Sequence, residues 1–238
     1  MYFTSARRWL RHNLEAGSVL ILLALIAAIW IFFGVADEVI EGDATAIDEA
    51  ILLAMRSPGD LSNPIGPPWL EEMGRDFSAL GGTAVLGLLT LVVAGYLVFQ
   101  NHIRTMVFLL VSVTGGLMVS SFAKHFFERP RPELVPHDSI VFTASFPSGH
   151  SMMSAVTYLT LAAIIARLEP RRRVKLYLLS VAVLLTFGVG ISRVYLGVHW
   201  PSDVIAGWAA GAGWALLCLG IARWLERRGR IAPAEGED

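Results

Sequence analysis

Residues 17–36 read GSVLILLALIAAIWIFFGVA, twenty consecutive positions without a charge. A helix of that length spans roughly 30 Å, the thickness of a bilayer's hydrocarbon core. Arg7, Arg8 and Arg11 precede the run, and Asp37 and Glu38 follow it. A secretory leader has a shorter apolar stretch and small residues at a cleavage point. The run therefore reads as a retained transmembrane helix. Five more segments are long and apolar enough to be spans: Phe77–Phe99, Thr105–Ala123, Ser151–Ala166, Leu176–Ser192 and Val204–Ala222. The expected architecture is an all-α integral membrane protein, a six-transmembrane-helix bundle.

The composition agrees. The 238 residues are 55% hydrophobic and 16% charged, whereas soluble domains carry about a quarter charged residues. The one cysteine, Cys218, cannot form an internal disulfide and has no Cys or His at metal spacing, so it reads as a packing residue. Small residues recur within the apolar segments, and Gly207-x-x-x-Gly211 would let helices approach closely.

The basic residues are sorted by side. With the N-terminus in the cytoplasm, the inner segments hold Arg7, Arg8, Arg11, Arg104, Arg167, Arg171, Arg172, Arg173, Lys175, Arg223, Arg227, Arg228 and Arg230, 13 of the 19 cations. The outer segments hold Arg56, Arg75, Lys124, Arg129, Arg131 and Arg193. Cytoplasmic loops carry the excess of Lys and Arg, so both termini are expected inside. The chain then reads as a single membrane domain, 1–238. Its parts are a cytoplasmic N-terminus at 1–16, an outer loop at 37–76, a core at 77–224 and a polar cytoplasmic tail at 225–238. Within the outer loop, Ile47, Ile51, Leu52 and Met55 recur at helical spacing beside Asp48, Glu49 and Arg56, which predicts an amphipathic helix on the membrane surface. Residues 57–68, with Pro58, Pro64, Pro67 and Pro68, read as irregular loop. No internal repeat is evident.

Three clusters of chemically capable residues fall at the outer ends of the predicted helices. They are Lys124-x6-Arg131-Pro132, Pro147-Ser148-Gly149-His150, and Ser192-Arg193-x5-His199-x3-Asp203. Ionisable groups at a membrane boundary usually mark function, and three cations together invite a multiply charged anion, whose oxygens guanidinium groups match. Ser148 can cap the helix that follows it, and Gly149 lets a ligand approach exposed N–H groups. Pro201 suits the first turn of the last helix, leaving His199 just before it and Asp203 within reach of the imidazole. A histidine oriented by a carboxylate suits attack on phosphorus. His150 can then protonate the leaving oxygen and later activate water.

The three clusters resemble the three-part signature of the type 2 phosphatidic acid phosphatase family. Every signature position is present, in order, over about a hundred residues. The resemblance implies that His199 forms a phosphohistidine, that Asp203 orients it and that His150 is the acid and base. It implies that Lys124, Arg131, Ser148, Gly149 and Arg193 bind phosphate, and that neither metal nor other cofactor is required. The expected activity is hydrolysis of a lipid phosphate or pyrophosphate at the periplasmic face of the inner membrane. Candidate substrates are undecaprenyl pyrophosphate, phosphatidylglycerol phosphate and phosphatidic acid. A lipid phosphotransferase, a lipid A phosphatase, and a non-enzymatic lipid-binding or transport protein are the alternatives. The expected partners are the bilayer and its lipid phosphate, with no nucleic acid, and the chain is expected as a monomer or weak homodimer. His125, beside Lys124, reads as an interfacial residue. Trp69 and Trp200 read as members of the interfacial aromatic belt, with a pocket wall as the alternative for Trp200.

Overall fold

The computed structural model describes residues 2–132 and 144–227, including the side chains of 17–132 and 144–226. The side chains of Arg7, Arg8, Arg11 and Arg227, and all of His137 and of the tail at 228–238, lie outside the described residues. Eight helices and one short hairpin make up the rest. The helices are α1 (Tyr2–Glu41), α2 (Ala44–Ala54), α3 (Pro68–Leu80), α4 (Thr83–Phe99), α5 (Ile103–Phe127), α6 (Gly149–Leu168), α7 (Arg172–Tyr195) and α8 (Pro201–Arg227). The hairpin pairs β1 (Arg56–Ser57) with β2 (Asp60–Pro64), antiparallel.

Among the described residues, five helices are long and apolar enough to cross a membrane, and a sixth span arises only if α3 and α4 are counted together. The segment expected as one helix at Phe77–Phe99 is broken at Gly81 and Gly82, where the chain bends by 50°. The reason is steric. A Cβ at Gly81 would lie 2.3 Å from Val189 Cγ1 and 3.3 Å from His150 Cβ. Only the bare backbone of a glycine passes over α7 and the start of α6 there.

α6 is the most buried of the spans. It packs against α5, α7 and α8, while α1 lies on the far side of α8 and α3 lies on α7. The α6–α8 contact uses the Gly207-x-x-x-Gly211 spacing. A Cβ at Gly207 would sit 2.7 Å from Ser148 O, and one at Gly211 would sit 2.4 Å from Met152 O. Leu20, Trp30 and Phe33 on α1 are exposed. A soluble protein would rarely leave so apolar a face uncovered, and a bilayer accounts for it.

Two expectations for the outer loop need correction. Residues 57–68 are not wholly irregular, since the β1–β2 hairpin occupies 56–64. The predicted amphipathic helix forms as α2, but Asp48 does not face solvent. It shares a face with Leu52, one turn on, and both are buried. Leu52 packs with Val194 and Val204, which pins α2 to α7 and α8. Arg56 is likewise buried and donates to the carbonyls of Val194 and Tyr195. Apolar packing of Leu52 brings the neighbouring Asp48 inward, and its charge is met there.

Candidate active site

The site forms where α5 ends and α6 and α8 begin. The ring of Pro201 fixes φ for the first turn of α8, and its missing N–H leaves nothing unsatisfied there. Between α7 and α8 the chain reverses through Gly197, at φ +73°. That turn delivers His199, 1% exposed, beside Asp203, which is fully buried. His199 Nδ1 lies 3.3 Å from Asp203 Oδ2. The same oxygen accepts the Trp200 N–H at 3.0 Å and the Ser145 hydroxyl. Arg129 donates to Asp203 Oδ1 at 2.7 Å.

On the other side of the imidazole, Arg131 Nη1 lies 3.2 Å from His199 Nε2 and donates to Val198 O at 2.7 Å. A guanidinium can only donate. Nε2 therefore meets it with a lone pair, and the ring proton belongs on Nδ1, facing Asp203. Burial pushes the His199 pKa down to about 3 despite the opposing pull of Asp203, and Arg131 and Arg193 add to the lowering. The ring is neutral at neutral pH, with its free nitrogen turned toward the cations.

Lys124, in the last turn of α5, donates to Ala144 O at 2.9 Å. A Cβ at Gly149 would come 3.3 Å from Lys124 Cε, so the glycine leaves room for that stem. Arg193, in the last turn of α7, is buried and donates to Ser78 Oγ on α3 at 2.5 Å. Its Nε is buried without a hydrogen-bond partner among the described residues. An unmet donor in a cluster of cations suits an anion. Ser148 caps α6 by accepting from Ser151 N. Half-buried His150 follows in the first turn, within reach of the charges of Arg193, Lys124 and Arg131. Phe146 anchors the loop before α6, packed against Phe127 with ring centroids 4.8 Å apart. All eight residues singled out from the sequence thus lie at one end of the bundle.

Other residues of the site escaped the sequence reading. Asp48, Arg129, Ser145 and Ser202 form a hydrogen-bonded group with Asp203. Arg129 had one visible sign, the repeated Arg-Pro of Arg129-Pro130-Arg131-Pro132. For Asp48 the sign was its i,i+4 relation to Leu52. Trp200 lies against the Arg129–Pro130 segment. Its ring centroid is 5.6 Å from Arg129 Cζ and its indole N–H donates to Pro130 O at 3.2 Å. His125 and Trp69 are exposed. Among the described residues, no three His, Cys, Asp or Glu side chains are grouped to hold a metal ion. A cavity of about 540 Å³ lies at the opposite ends of α5, α6 and α8, lined by Phe108, Trp214, Cys218, Arg104, Arg167 and Glu226 among others.

Known proteins resemble this chain in sequence and in fold. The family model described as the PAP2 superfamily matches residues 105–227. Phosphatidylglycerophosphatase B of Bacillus subtilis is 36% identical over 155 residues, covering 62% of this chain and 72% of the relative. An undecaprenyl-diphosphatase of Sulfolobus acidocaldarius is 25% identical over 158 residues, covering 64% of this chain and 68% of the relative. Among solved structures, a transmembrane PAP2-type phosphatidylglycerolphosphate phosphatase from Bacillus subtilis superposes with a TM-score of 0.73 at 26% identity. The match covers 85% of this chain and 98% of that one.

Proposed function

This chain belongs to the PAP2 superfamily and is a multi-pass membrane phosphatase; from that premise we propose that it hydrolyses a lipid phosphate without a metal, through a phosphohistidine on His199. The observation that carries the reading is the fixed tautomer of His199. Nδ1–H faces Asp203, and the Nε2 lone pair faces Arg131. In the first step Nε2 attacks phosphorus and the bond to the lipid oxygen breaks. His150 gives its proton to that oxygen. Asp203 stabilises the positive charge that grows on the His199 ring. Lys124, Arg131 and Arg193, with the Ser148 hydroxyl and the backbone N–H of Gly149, hold the equatorial oxygens. In the second step His150 takes a proton from water, the hydroxyl attacks phosphorus, and inorganic phosphate leaves His199.

Phosphatidylglycerol phosphate is the first substrate to test, because the relative and the solved structure from Bacillus subtilis are both named for it. Undecaprenyl pyrophosphate is the second reading, favoured by the Sulfolobus relative. The sorting of basic residues supports an inner-membrane location with both termini in the cytoplasm and the catalytic end on the periplasmic face.

The test is phosphate release by the purified protein in detergent with EDTA, across a panel of both lipids, phosphatidic acid and lipid A. Release without added metal is expected on at least one of them, and His199→Ala should reduce it by more than about 1,000-fold. Strict dependence on a divalent metal, or wild-type activity in His199→Ala, would overturn the mechanism. Transfer of the phosphoryl group to added lipid instead of water would mark a phosphotransferase.

A further inference from the structure

Asp48 lies on α2, outside the residues matched by the family model, yet it is only 2% exposed. Both of its carboxylate oxygens are engaged. Oδ1 accepts the Ser202 N–H at 2.9 Å, in the first turn of α8. Oδ2 accepts Arg129 Nη2 at 2.9 Å and also the Ser202 hydroxyl. Arg129 in turn forks. Its Nη1 donates to Asp203 Oδ1 and to Ser202 Oγ, both at 2.7 Å. The two oxygens of Asp203 are thereby divided, Oδ1 to Arg129 and Oδ2 to His199, Ser145 and Trp200 N.

We propose that Asp48 is a positioning residue for the reaction, acting through Arg129 on Asp203 and hence on the His199 ring. The inference rests on the roles assigned above to His199 and Asp203. The physical case is one of charge as well as geometry. A buried carboxylate needs a partner, and Arg129 supplies one to Asp203. A guanidinium shared with nobody else would offset the negative charge that Asp203 must present to His199 as phosphorylation proceeds. Asp48 balances that guanidinium, so the Asp48–Arg129–Asp203 group keeps a net negative charge beside the imidazole. It also locks the guanidinium from the far side, so that Arg129 cannot swing toward the anionic substrate. Removing it should weaken transition-state stabilisation more than substrate binding.

The test uses the full chain in detergent with dioctanoyl phosphatidylglycerol phosphate and dioctanoyl phosphatidic acid. It measures kcat, KM and the unfolding midpoint for the wild type, His199→Ala, Asp48→Asn, Asp48→Glu and Arg129→Gln, and for the Asp48→Asn, Arg129→Gln pair. Asp48→Asn should lower kcat roughly 10- to 100-fold with KM within about threefold. Asp48→Glu, which keeps the charge, should recover part of that loss. In the Arg129→Gln background, Asp48→Asn should add nothing, because the relay is already cut. A folded Asp48→Asn with kcat within about twofold of wild type, or losses that multiply in the double variant, would overturn the relay alone. An active His199→Ala would overturn the site assignment and the relay with it. If Asp48→Asn does not elute as a folded protein, Arg129→Lys carries the test. An ammonium cannot bridge two carboxylates as a fork does, so its kcat should fall, and an unchanged kcat would overturn the proposal.

Discussion

Two ion pairs of the same length sit at opposite ends of the bundle. Arg129–Asp203 and Arg167–Glu226 both measure 2.7 Å. The side chains of the first are 11% and 0% exposed, and those of the second 25% and 24%. The first is embedded in a group of hydrogen bonds that ends on His199, whereas the second lines a mostly apolar cavity beside Arg104. Distance is therefore a poor guide to consequence. A buried charge whose partner is lost has nowhere to go, while a partly exposed one is taken up by water and contributes little.

Four measurements test this difference between the two ends of the bundle. Arg131→Ala should lower kcat/KM at least about 100-fold in the phosphate-release assay, because it removes a cation aimed at the reacting group. If it did not, the outer end would be as tolerant as the inner one. Gly207→Val should destabilise the protein by about 3 kcal/mol, read as a lowered denaturation midpoint, since its side chain would meet the Ser148 carbonyl of α6. A Cβ at Gly220, at the inner end, would lie 3.8 Å from Ile21 Cγ2, so that position should accept alanine without loss.

The third concerns pH. His199 has its pKa lowered from 6.5 to about 3. Between these values the unfolded chain binds a proton that the folded chain does not, so stability is full above pH 6.5 and declines as pH falls toward 3. This group alone should remove about 2 kcal/mol between pH 7 and pH 5. His199→Gln should flatten that slope in denaturation midpoints measured across the range, and an unchanged slope would show that the imidazole is better solvated than its burial implies. The smallest effect belongs to Arg167→Ala, with less than about 1 kcal/mol of stability lost and phosphate release unchanged.

Much of the candidate site was legible in the sequence because its residues fall in three short runs, each tied to a helix end. Periodicity and a well-placed proline or serine were enough to place them. The bend at Gly81 and Gly82 was not legible, because the apolar run continues through it and the obstacle, Val189, lies on another helix. Asp48 was misplaced for a related reason. Amphipathic periodicity assigns charged residues to the wet face, and Asp48 breaks that rule only because Arg129 and Ser202, 81 and 154 positions away, meet it inside. Arg129 was visible but indistinguishable from a cation anchoring a helix end. Pairings of that separation leave no local pattern.

The glycine contact between α6 and α8 has an evolutionary side. His150 and His199 stand at the heads of two helices whose separation is set by Gly207 and Gly211 lying against main-chain oxygens. A gap closed by backbone cannot be widened or narrowed by exchanging side chains. A lineage that changes its substrate inherits that spacing unaltered and has to vary what surrounds it.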